Sequence, residues 1–168
     1  MEKVVMIIAD NNFRDEELLD TKAILEKNDI KVIIASTTQD DVYGMLGAKV
    51  KPDILLKDIK AQDFDAVIFV GGSGAEQYWN DPVALNLAKE ACELKKIVAA
   101  ICIAPVILAN AGILKDKKAT VWPSEKEKLK DKDVFYSGKT VEIDENIITA
   151  DGPQSAREFA EAISKALR

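Results

Sequence analysis

The sequence contains no histidine. That absence removes the commonest general base and the commonest metal ligand, and in a homo-oligomer it removes them from every subunit. Cysteine is almost as scarce: Cys92 and Cys102 are the only two. A disulfide framework is therefore not expected, and both are read as free thiols in a reducing, cytoplasmic setting. Apolar runs such as Ile97–Ala104 are far too short to span a bilayer, and Met1-Glu2-Lys3 leads directly into strand-like sequence, so no signal peptide or membrane anchor is expected. A basic excess is missing too: 23 lysines and arginines against 29 acids leave a formal charge of −6. With the lysines interspersed among acids, no basic face offers itself to a phosphate backbone, and nucleic acid is not an expected ligand. Internal repeats, low-complexity tracts and long linkers are also absent, so residues 1–168 are expected to form a single domain.

What is present suits a packed core: 48% of the residues are apolar and 31% charged, ordinary usage for a domain of this length. Val4–Ala9 is a continuous β-branched run ended by Asp10-Asn11-Asn12, the pattern of a strand buried on both faces. Asp15–Asn28 has apolar residues at helical spacing, acids in its first turn and Lys27-Asn28 at its end. Short apolar runs recur at Lys31–Ser36, Ala66–Val70 and Ile97–Cys102, with helical stretches at Pro82–Lys95 and Pro105–Ala111. Strand and helix thus alternate as in βαβ units. Gly44 and Gly47 predict a small hairpin between Asp41 and Asp53. Brief strands are predicted at Ala119–Trp122, Val134–Tyr136, Thr140–Ile143 and Ile147–Ala150, with a polar helical turn at Ser124–Lys130. An amphipathic helix over Ser155–Leu167 closes the chain.

The chemistry-bearing candidate is Cys102. The buried strand over Ile97–Cys102 is followed within a few residues by Pro105, which suits the first turn of a helix and places Cys102 at the turn. A residue at such a strand-to-helix turn is lifted out of the sheet, and the helix N-terminus favours an anion there, so a lowered thiol pKa is expected. The residues alone leave open a plainer alternative, a small buried thiol that packs like an aliphatic side chain. Glu17, by itself, reads as a first-turn acid favoured by the helix dipole. Gly71-Gly72, by themselves, read as a turn after a strand.

Several segments together break this tie. Ala100-Ile101-Cys102-Ile103-Ala104-Pro105 resembles the nucleophile elbow of the DJ-1/PfpI family. Phe13-Arg14-Asp15-Glu16-Glu17-Leu18 resembles the family segment whose last acid pairs with the cysteine. Phe69-Val70-Gly71-Gly72 resembles its Pro-Gly-Gly turn with Val70 in place of proline, and Thr149-Ala150-Asp151-Gly152-Pro153 resembles its C-terminal region. The resemblance covers essentially the whole chain. It implies a flavodoxin-like three-layer α/β sandwich with a mostly parallel central sheet, and a homodimer or higher homo-oligomer. It makes Cys102 the nucleophile, Glu17 the acid hydrogen-bonded to its sulfur, and Gly71, Gly72 and the Ile103 amide the donors to an oxyanion. Neither a metal nor an organic cofactor is implied.

The chain also departs from the family. Peptidase-like members carry histidine beside the cysteine, where this chain has Ile103, and DJ-1-like members carry one at a position matching Trp122. Trp122-Pro123 is expected to form an apolar wall of the pocket, the alternative being ordinary core packing. With no imidazole a Cys-His pair cannot form, which disfavours a cysteine hydrolase or peptidase. Two expectations remain: a cysteine-dependent stress-response enzyme acting on small reactive carbonyls or glycated protein side chains, in the manner of a glyoxalase or deglycase, or a redox sensor or chaperone working through oxidation of Cys102. Asp10, Asp15 and Glu16 are read as solvated acids.

Overall fold

The computed structural model describes residues 1–168. Strands β1 (Lys3–Ile7), β2 (Lys31–Ser36), β5 (Ile54–Leu55), β6 (Ala66–Phe69), β7 (Ile97–Ile101), β10 (Val141–Asp144) and β11 (Ile147–Ala150) form one sheet in the order β10-β11-β7-β6-β1-β2-β5. All neighbours run parallel except the β10–β11 edge hairpin. The expected hairpin forms from β3 (Val42–Tyr43) and β4 (Lys49–Val50), and a parallel pair links β8 (Lys118–Ala119) to β9 (Phe135–Tyr136).

Side chains alternate across a pleated strand, and here the alternation builds two cores. Val5, Ile7, Val67, Phe69, Val98 and Ala100 face one layer, which holds helices α2 (Pro82–Glu93) and α3 (Pro105–Asn110). Val4, Met6, Ile8, Ala66, Ile68, Ala99 and Ile101 face the other, against α1 (Asp15–Lys27) and α5 (Ala156–Ala166). The remaining helix, α4 (Lys126–Lys130), is a single short turn. Each large side chain taken fully out of water contributes about 1.5–3 kcal/mol, so these stripes hold the three layers together. No helix is long and apolar enough to cross a membrane.

Two expectations needed correction. The strand predicted over Ala119–Trp122 stops at Ala119, because the following backbone groups find other partners: Thr120 N–H donates to Thr149 Oγ1 at 3.0 Å and Trp122 N–H to the Cys102 carbonyl at 2.8 Å. Asp15, read as solvated, is buried. Its carboxylate accepts from the Leu46 and Ala48 amides at 2.9 and 2.8 Å and so ties the β3–β4 hairpin to the start of α1. The short strand β5 was not anticipated, two residues being too few to show a period.

Candidate active site

The carboxyl ends of β1, β6 and β7 lie side by side, and the loops that leave them converge on Cys102. β7 ends at Ile101. Cys102 follows with φ of 65° and is buried, whereas the other non-glycine residues with positive φ are all exposed. A left-handed conformation costs a side-chain-bearing residue about 1–2 kcal/mol, and neighbours hold it in place. The Cys102 amide donates to Ala150 O at 2.9 Å, its carbonyl accepts from Trp122 N–H, and Pro105 opens α3. The elbow expected from the sequence is formed.

Glu17, third residue of α1, is wholly buried beneath the elbow. Its Oε1 accepts the Gly71 amide at 2.9 Å. Oε2 is sealed from solvent and forms no well-aligned hydrogen bond, yet the Cys102 thiol is near enough to influence the carboxyl's titration. The two groups are therefore close enough to interact. A Cβ on Gly71 would collide with Glu17 Oε1 and come within 2.5 Å of Cys102 Cβ, so only glycine allows the turn, the acid and the elbow to meet. Gly72 has φ of 99°, and a Cβ there would collide with the backbone of residues 12–14.

Burial pushes the Glu17 carboxyl up to about 8, against the opposing pull of the Cys102 and Gly71 hydrogen bonds. It is therefore protonated at neutral pH. Burial also pushes the Cys102 thiol up to about 12, with ionised Glu17 adding to the rise, while the Gly72 and Ile103 amides at the sulfur act the other way. This reverses the expectation of a lowered thiol pKa. The sulfur is largely withdrawn from water, and that desolvation is the largest influence on the thiol. Protonated Glu17 removes the charge repulsion, so the two groups titrate as a pair. The Gly71 amide is already committed to Glu17, leaving Gly72 and Ile103 as the amides directed at the sulfur.

Above Cys102 lies a cavity of about 340 Å³. Ile103 and Trp122 line it, as expected, together with Arg14, Glu76, Trp79 and Glu125, to which the residue pattern assigned no role. Trp79 Nε1 donates to Ile103 O at 3.1 Å and steadies the residue after the nucleophile. Lys128 lies over the Trp79 ring, 5.2 Å from its centroid, and pairs with Glu125 at 2.7 Å. These residues come from separate loops whose meeting no local period announces. No cluster of three or more potential metal-ligating side chains is present.

A model of the DJ-1/PfpI family matches residues 2–166. The chain belongs to the DJ-1/PfpI family. It is 44% identical over 168 residues to an uncharacterized protein of Methanocaldococcus jannaschii, covering 98% of this chain and 82% of that one. It is 30% identical over 149 residues to a Pyrococcus horikoshii protein named a deglycase, covering 89% and 90%. Among solved structures, a ThiJ/PfpI domain protein from Brachyspira murdochii superimposes with a TM-score of 0.96 at 34% identity, over 98% of this chain and 95% of the other. The flavodoxin-like fold of the DJ-1/PfpI proteins is thus the fold of this chain.

Proposed function

We propose that this DJ-1/PfpI protein is a cysteine-dependent enzyme acting on small reactive carbonyls, free or attached to protein side chains, in the manner of a glyoxalase or deglycase. The observation that carries the reading is the buried, protonated Glu17 beneath the strained Cys102 elbow. A relative from Caenorhabditis elegans, 29% identical over 163 residues, bears the name of a glutathione-independent glyoxalase, which supports the same class.

The chemistry needs no imidazole. The Cys102 thiol gives its proton to solvent as its sulfur bonds to the aldehyde carbon of an α-oxo aldehyde, the C=O π bond opens, and the carbonyl oxygen takes up the Glu17 proton, giving a hemithioacetal. Glu17, having passed its proton to the oxygen, is left as a carboxylate able to remove the hydrogen on the former aldehyde carbon and return it to the neighbouring carbon, while the hydroxyl proton moves to that neighbour's oxygen. The product is a thioester of a 2-hydroxy acid. Water then cleaves the C–S bond, releasing the acid and restoring the thiol. One carbon is oxidised and its neighbour reduced, so the sequence balances internally. The Gly72 and Ile103 amides favour negative charge on sulfur and on the adjacent oxygen.

Methylglyoxal and glycated-peptide turnover, compared between wild type and Cys102→Ser, tests this reading; loss of turnover in the variant is the expected result. The total lack of histidine also favours a second reading, a redox sensor in which peroxide oxidises Cys102 to a sulfinate. Absence of turnover in wild type, combined with selective oxidation of Cys102, would favour the sensor. A cytoplasmic homodimer or larger homo-oligomer accompanies either reading, and the exposed apolar Leu19, Tyr43, Met45 and Leu46 on α1 and the hairpin offer a face for it.

A further inference from the structure

An anion that forms at Cys102 needs a positive counterpart, and with no histidine in the chain the candidates are few. Arg14 is the only basic residue lining the cavity. Its position is locally unfavourable. It is the N-cap of α1 and makes no capping hydrogen bond with its side chain. Ser, Thr, Asp or Asn is preferred there, and a cation opposes the helix dipole. Local rules of this kind tend to be broken where function requires it.

The geometry directs the guanidinium. The Arg14 amide donates to Gly71 O at 2.9 Å, fastening the residue to the turn beside the elbow. Nε and Nη2 donate to the two oxygens of Glu16 at 3.0 and 2.9 Å, while Nη1 forms no hydrogen bond within the chain. The fork is thus gripped from one side with donors to spare, and its charge is felt by both Glu17 and Cys102. The other charged groups around the cavity are Glu76, which is exposed, and Glu125, already paired with Lys128.

We infer that Arg14 is the cation that stabilises the anion formed at Cys102, in the thiolate and in the addition intermediate, and that Glu16 positions it. Its role in the intermediate rests on the carbonyl reading above. Its role at the thiolate does not. The rival is a part-exposed surface ion pair, contributing little to either stability or reactivity.

The two are separated by alkylating Cys102 in a Cys92→Ser background with neutral iodoacetamide and anionic iodoacetate. In both reactions the sulfur forms an S–C bond, the C–I bond breaks and iodide leaves, so their rate ratio reads the local charge. Arg14→Gln should lower the iodoacetate-to-iodoacetamide ratio by roughly 3- to 10-fold and raise the pH at which the thiol ionises. Arg14→Lys should recover most of the ratio, and Glu16→Gln, which frees the guanidinium, should increase it. An unchanged ratio in both Arg14→Gln and Glu16→Gln overturns the inference. With methylglyoxal, Arg14→Gln should reduce kcat more than it alters KM. A wild type without turnover would defeat the carbonyl reading, while the alkylation ratio would still decide the part played by Arg14.

Discussion

Glu17→Gln measures directly whether the buried acid carries a proton at neutral pH. Glutamine has nearly the same volume, its carbonyl can keep the bond from the Gly71 amide, and it does not titrate. In wild type the carboxyl is raised from an ordinary 4.5 to about 8 by burial. Below 4.5 the acid is protonated in both folded and unfolded chains, and stability does not depend on it. Between 4.5 and 8 the unfolded chain releases the proton and the folded chain holds it, so stability falls with rising pH. One proton sets the slope at about 1.4 kcal/mol per pH unit, which amounts to roughly 3 kcal/mol between about pH 5 and pH 7.5. Cys102 adds nothing in that range, because its shift runs from 9 to about 12. The assay is urea unfolding of reduced protein at several pH values, with the difference between variant and wild type cancelling the other carboxylates. Over this range the wild-type midpoint should fall by roughly 1 M more than the midpoint of Glu17→Gln. Parallel pH profiles would show that Glu17 ionises like an exposed acid, and the proton donor proposed for Cys102 would be lost.

Gly71→Ala should cost at least about 2 kcal/mol, because the new methyl has no room between Glu17 and the elbow, and surviving protein should alkylate at Cys102 with altered pH dependence; thermal unfolding and iodoacetamide kinetics read both effects. Asp15→Asn removes the charge from two hydrogen bonds that hold the hairpin and should cost about 1–3 kcal/mol. Hydrogen exchange should show the loss at the Leu46 and Ala48 amides first. Uniform protection would mean that the hairpin is held by its own strand pairing.

The layered fold was legible in the sequence because its signals are local. Val4–Ala9, Ala66–Val70 and Ile97–Ile101 declare buried strands by their unbroken apolar runs, and the spacing within 15–28 and 155–167 declares helices, since hydrophobic period follows directly from backbone geometry. The family pattern added the pairing of Cys102 with Glu17 and the Gly71-Gly72 turn. Tertiary structure decided the electrostatics. Whether a thiol or a carboxyl is acidic depends on how much water surrounds it and which charges face it, and both are set by residues distant in sequence. Glu17 looked like a helix-start acid but is enclosed beneath the elbow; Asp15 looked solvated but receives two hairpin amides. Cys102 looked activated by the helix after it, whereas its burial raises the thiol pKa. Arg14 and Trp79 carried no recognisable signal, because each acquires its place only when loops from β1, β6 and β7 meet at one edge of the sheet.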